Sequence, residues 1–247
     1  DLGCILSLCN NLDALTSFFS IGLQPTGSRD PFALRRSANG LIRVLLYKDL
    51  KINLNTLFEF GLEQLAIRDK SILEKLITFA HERLKITLLE ENLSNDFIEA
   101  VISNSAISNI PIYLLRENVL NLKSFVTTNK GNLFLKNYKR IFNILKNVDT
   151  KSLPKTINKS LLKTPSEIDL YKYYEKTSSL LDKTGSEKKL DRNVIKTFLS
   201  INKIINNFFN KTLVNDKDKK LKRNRLKLLT DVINIFKNFA RFEKIKD

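Results

Sequence analysis

The chain has 247 residues, 43% of them hydrophobic, which suits one large or two modest domains with buried cores and excludes an intrinsically disordered chain. Only seven Gly and five Pro leave strands without their usual turn punctuation; with Leu, Ile, Lys, Asn and Glu dominant, the predicted class is all-α. The formal net charge of +16 is unevenly spread: residues 1–129 carry 13 Lys and Arg against 14 Asp and Glu, whereas residues 130–247 carry 29 against 12. Charge concentrated in one half fits a polyanion partner there, and a compositional Lys and Asn bias is the competing explanation.

No uninterrupted run reaches the roughly 18 apolar residues of a membrane span, so no membrane placement is expected. Cys4 and Cys9 lack a second pair or a histidine cluster to complete a metal site, and are expected as small apolar fillers in a reduced compartment. The opening Asp1 has neither a basic n-region nor a small-residue cleavage site, which leads to a cytoplasmic expectation. Without any Met, and with its first helix starting in mid-pattern, the sequence is expected to be a fragment of a longer protein.

Taken in order, Leu2 to Phe19 has apolar residues at Ile5, Leu8, Leu12, Leu15 and Phe19, the spacing of an amphipathic helix. In IGLQPTGSRDPFALRRSANG, Pro25 and Gly27 break that helix; Asp30 is predicted to cap a new one, with Pro31 at its first position. Leu34, Ala38, Leu41, Ile42 and Leu45 make its buried stripe, while Arg35, Arg36 and Arg43 fall largely on the other side. Gly40 inside it implies a close neighbour. Helices are next predicted over 54–68 and 71–89, the second opened by a Ser71/Glu74 capping box. His81, the sole histidine, is placed on the polar side of that helix; with no second histidine and no nucleophile at a recognisable spacing, it supports neither a metal nor a catalytic role. Shorter helices at 94–103 and 112–125 lead to TTNKGN at 127–132, the predicted domain boundary.

Beyond it a helix over 133–148 turns Leu135, Tyr138, Ile141, Phe142 and Leu145 inward, leaving Lys139, Arg140 and Asn143 on a flanking face with Lys136 and Lys146. Such a face suits phosphate positioning and base-edge contacts, or is simply solvated. A lysine-bearing loop over 151–165 precedes a helix over 167–181 with Tyr171, Tyr173 and Tyr174, whose rings suit a core or rim place or the stacking of an unpaired base. A second solvated turn is predicted at Lys183–Lys189, then a helix over 190–210 with Val194, Phe198, Ile201, Ile205 and Phe208 inward. The last helix follows the basic run Lys217, Lys219, Lys220, Lys222, Arg223, Asn224, Arg225 and buries Leu226, Leu229, Val232, Ile233, Phe236 and Phe239.

PTGSRDPFALRR closely resembles the PTGS(K/R)DPFALRR signature of the β subunit of bacterial heterotetrameric glycyl-tRNA synthetases. The preceding Asn11, Leu12, Asp13, Ala14, Leu15, Phe18 and Phe19 resemble that family's KLDTLVGFF helix, and HERLKITLLEENLSNDFIEAVI is similar to a later stretch of it. YKRIFNIL resembles the YKRAANIL element that opens DALR-type anticodon-binding domains, and FFNKTLV with RNRLKLL resembles the family's terminal pattern. This sequence departs from that pattern in its lysine run before Asn224, where acidic or small residues are usual.

The resemblance implies a C-terminal portion of such a β subunit, built of helical bundle segments ending in a DALR-type anticodon-binding helical domain. Residues 1–48 would close an HD-like helical domain, 49–131 form a helical middle region and 132–247 the anticodon-binding domain. It also implies tRNA-Gly and the α subunit of an α2β2 heterotetramer as partners. Catalytic groups and cofactors are expected to be absent from this chain, ATP being used by the whole enzyme through the α subunit. Lys139, Arg140, Asn143, Arg223, Asn224 and Arg225 are the candidate tRNA contacts, with Asp30, Pro31, Arg35 and Arg36 as signature residues of mainly structural use. No glycine-rich phosphate loop, paired-carboxylate constellation or metal-ligand spacing is present in the sequence. The competing classes are a non-catalytic structural helical protein with a basic face and an HD-type hydrolase, the latter disfavoured by a single histidine.

Overall fold

A computed structural model of the chain describes residues 1–105, 109–183 and 188–246. Among the described residues there are ten α-helices and no strand. They form two compact units, Asp1–Val119 and Leu120–Asp247. Most of the solvated turn expected at Lys183–Lys189 lies outside the described residues.

The first unit holds α1 (Leu2–Ser20), α2 (Leu34–Tyr47), α3 (Leu54–Gln64), α4 (Lys70–Glu90), α5 (Asn95–Ile102) and the start of α6 (Ile112–Val126). Its core is where helical spacing puts it: Leu12, Leu15 and Phe19 of α1, Leu34, Ala38, Leu41, Ile42 and Leu45 of α2, Phe58 of α3, and Leu76, Ala80, Leu84 and Leu88 of α4 are buried. Each large side chain withdrawn from water contributes about 1.5–3 kcal/mol against the entropy of ordering the chain. Gly40 is the close approach that its position implies, since a Cβ there would come within 2.7 Å of the Asn11 carboxamide on α1.

Several expectations are corrected. Ile5 is not part of the buried stripe but is 57% exposed, together with Leu2 and Leu6, because burial along α1 is complete only from Leu12 onward. By length and composition α1 is apolar enough to cross a membrane, yet Leu12, Leu15, Thr16 and Phe19 pack into the core of the first unit. Cys9 is exposed rather than a buried filler, and both cysteines are free thiols. Helix α4 is capped by Asp69, whose carboxylate accepts from the Ser71 amide at 2.8 Å, so Ser71 lies inside the first turn. His81 is half-buried rather than on a polar face, and burial lowers its imidazole pKa.

The second unit takes the end of α6 and adds α7 (Asn129–Leu145), α8 (Pro165–Lys183), α9 (Arg192–Lys211) and α10 (Lys219–Lys237). Thr128 of TTNKGN caps α7 by accepting from the Gly131 amide at 3.0 Å, so the helix begins at Asn129, four residues earlier than the spacing predicts. The core is aromatic. Phe134, Phe198 and Phe236 lie 4.8–5.8 Å apart between ring centroids, and Phe242 closes on Phe134 at 5.2 Å.

Tyr138 borders this cluster and donates to Glu243 Oε2 at 2.8 Å. Burial acts to raise the Glu243 pKa, but its own amide, the Tyr138 hydroxyl and Arg241 outweigh burial and hold the carboxyl below its usual 4.5. A carboxylate depressed on folding stabilises above its unfolded pKa, and that contribution is lost as pH falls through the folded value. Tyr138→Phe is therefore expected to cost about 1–2 kcal/mol in urea unfolding at pH 7 and clearly less below pH 4. A pH-independent cost would refute this role for the pair.

Candidate nucleic-acid interface

Side-chain pairs orient the helices of the second unit. Phe134 and Asn137 of α7 meet Phe198 and Asn202 of α9 in the same order, so α7 and α9 run parallel. Phe236, near the end of α10, packs against Phe134 and Phe198 in the first halves of α7 and α9, so α10 runs the opposite way. The start of α8 meets the segment just after α9, where Ser166 and Thr212 share a 2.9 Å hydrogen bond. One end of the bundle thus gathers the C-terminal ends of α7 and α9, the N-terminal ends of α8 and α10, and the loops between them.

This end carries a dense set of cations. Lys151, Lys155, Lys159 and Lys163 on the α7–α8 connection, Lys211 at the end of α9, and Lys217, Lys219, Lys220 and Arg223 around the start of α10 are all exposed. The loop is strapped to α10. Asn158 donates its amide to Asn224 Oδ1 at 2.8 Å, Asn224 Nδ2 donates back to Asn158 O at 3.0 Å, and Arg223 donates to Ser152 O. Lys159 pairs with Glu175 at 3.0 Å and lies 5.0 Å above the Tyr171 ring; the hydrogen bond it donates to Glu175 is the main cause of its raised pKa.

Beneath this surface lies a buried ionic cluster. Arg225 Nε donates to Glu167 Oε1 at 2.6 Å, while its Nη1 reaches Asp216 Oδ2 at 2.6 Å and Leu213 O at 2.9 Å. The Glu167 side chain is 0% exposed and its other oxygen accepts from the amides of Lys163 and Thr164 at 2.8 and 2.7 Å. The Asp218 amide, followed by the Arg225 side chain, lowers the Asp216 pKa. The cluster ties the start of α8, the α9–α10 loop and α10 together.

The candidate contacts therefore separate. Lys139, Arg140 and Asn143 of α7 are brought together with Lys136 and Ile144 around an open groove of about 640 Å³. The Arg140 guanidinium stacks over the Phe209 ring of α9, 3.9 Å from its centroid. Arg223 is exposed beside the strapped loop. Asn224 and Arg225 are not at the surface: they are 1% and 5% exposed, and their polar groups are spent on Asn158, Glu167, Asp216 and Leu213. Helix phase carries that signal, since Arg225 sits three, four and seven residues before Leu228, Leu229 and Val232. Linear spacing singles out neither Phe209 nor Glu167 as a partner of these arginines.

In the first unit the signature residues hold a loop. Asp30 accepts from the amides of Leu34 and Arg35 at 2.8 and 3.0 Å and so caps α2, but from outside it. Pro31 is not the first helical residue: Ala33 donates back to Asp30 O, adopts a left-handed φ of 54°, and the helix starts at Leu34. Arg35 donates to Gly27 O and braces the loop, whereas Arg36 is exposed. Tyr173 is a core residue whose hydroxyl donates to Thr197 O at 3.2 Å. Among the described residues, no three His, Cys, Asp or Glu side chains group as a metal site.

Residues 1–103 match the family model described as glycyl-tRNA synthetase beta subunit, and residues 134–245 match that of the DALR anticodon binding domain. A glycine–tRNA ligase beta subunit of Clostridioides difficile (strain 630) is 29% identical over 246 residues, covering 98% of this chain and 35% of the relative. Those of Rickettsia bellii (strain OSU 85-389) and Rickettsia felis (strain ATCC VR-1525 / URRWXCal2) are 31% and 33% identical, covering 98% and 96% of this chain and 34% of each relative. Both halves of the chain point the same way as these comparisons: along nearly its whole length it is similar to glycyl-tRNA synthetase β subunits, and it spans about a third of the length of the relatives it matches.

Proposed function

We propose that this chain is the tRNA-binding, C-terminal portion of a glycine–tRNA ligase β subunit, engaging tRNA-Gly through the basic end of its second unit. It would work in the cytoplasm as part of an α2β2 assembly, with ATP-dependent glycine activation carried by the α subunit and no catalytic group or cofactor in this chain. The observation that carries the proposal is the convergence of lysines from three segments at one end of the bundle that matches an anticodon-binding domain. Exposed ammonium groups neutralise phosphates without reading sequence, while the α7 groove offers the amide and guanidinium groups that can read bases.

The test is affinity for tRNA-Gly as a function of salt. Each neutralised phosphate contributes about −0.7 to −0.9 to the slope of log K against log salt, so Lys219→Gln with Lys220→Gln is expected to flatten the slope by about 1.5. Tight binding whose affinity does not change with salt would overturn the electrostatic reading, and no binding would overturn the function.

A further inference from the structure

The α7 groove is more than a patch of positive charge. A guanidinium on an exposed helix face normally samples many rotamers, but that of Arg140 is held over the Phe209 ring, its central carbon 3.9 Å from the ring centroid. Phe209 is itself braced by Phe208, whose buried ring lies 5.4 Å away at 67°. One face of Arg140 is therefore covered by an aromatic ring while the residue is exposed. Asn143, one turn further along α7, is also exposed and offers a carboxamide at the groove, and Lys136, one turn back, offers an ammonium group.

We propose that Phe209 and Arg140 form a prebuilt stacking platform that accepts one unpaired nucleobase, with Asn143 at the base edge and Lys136 at a flanking phosphate. A planar cation fixed by an aromatic ring stacks on any base, so the platform holds the base while Asn143 discriminates among bases. Phe209 is then a positioning residue: it acts on RNA through Arg140. This inference rests on the tRNA reading above and adds to it which single-stranded element the groove takes.

The experiment uses the full-length protein and the anticodon stem-loop of tRNA-Gly, with each loop base replaced in turn by an abasic nucleotide. Phe209→Leu removes the ring and keeps apolar volume; Phe209→Trp keeps a stacking surface. Phe209→Leu is expected to weaken the intact stem-loop about five- to tenfold with an unchanged salt slope, and Phe209→Trp to bind within about twofold of the parent. At one abasic position the parent should lose a similar factor and the Leu variant nothing further. Loss by Phe209→Leu that is the same at every abasic position, or a lower salt slope, would overturn the platform while leaving tRNA binding intact. Parent protein that binds neither the stem-loop nor whole tRNA-Gly would overturn the tRNA reading and this inference with it. Thermal unfolding of both variants separates these outcomes from misfolding.

Discussion

Replacing Gly131 with alanine is expected to destabilise the second unit by at least about 3 kcal/mol, although alanine is the better helix former by about 1 kcal/mol. A Cβ at this position would stand 1.9 Å from the Phe125 carbonyl oxygen and 2.7 Å from its carbon. That oxygen cannot swing away like the end of a side chain, because it accepts from both the amide and the hydroxyl of Thr128, which in turn caps α7. Relief requires moving the corner between α6 and α7, and with it the Phe125 and Phe134 rings, packed 5.2 Å apart. Gly3→Ala on α1, where a Cβ would meet nothing within 4 Å, is the matched control and should be neutral or slightly stabilising. Urea unfolding of the two variants decides the matter; equal stabilities would show that the corner relaxes at no cost.

Arg225→Met is expected to cost about 3–5 kcal/mol, the usual penalty for removing one partner of a buried ion pair. The loss leaves Glu167 fully buried and charged, with backbone amides for partners but no counter-charge. Glu167→Gln on its own should also destabilise, since one of its two ends must then present an NH₂ to a donor. In the Arg225→Met background the sign reverses. There Glu167→Gln removes an unpaired charge, so the double variant is expected to be more stable than Arg225→Met alone, with a coupling energy of about 2 kcal/mol or more. Additive losses would mean that the pair is solvated in the folded protein.

Helical period made most of the fold legible. The stripe of α2 and the inward residues of α9 and α10 are buried as their spacing implies. What spacing could not supply was the chemistry of the ends. Asp69 rather than Ser71 caps α4, and Asp30 caps α2 from outside the helix, because a turn with a left-handed Ala33 intervenes. Both outcomes depend on where the chain turns before a helix, which no 3.6-residue pattern contains.

The candidate site was half legible for a similar reason. Lys139, Arg140 and Asn143 share one face of one helix, so their proximity follows from sequence. The internal roles of Asn224 and Arg225 depend on Asn158 and Glu167, 66 and 58 residues away, and only tertiary structure brings those together. A basic run had masked a change of environment within three residues: Arg223 is exposed, Asn224 and Arg225 are buried.

The reciprocal amide pair between Asn158 and Asn224 bears on the kinetics of association. A lysine-rich loop left loose would have to surrender about 1–2 kcal/mol of backbone entropy for each residue ordered on contact with a partner. Here the backbone is already held at Asn158 and at Ser152, so an incoming polyanion meets ammonium groups on a fixed frame and only side-chain rotamers need settle. Docking on such a frame has no folding step, so its rate follows electrostatic encounter and falls with ionic strength.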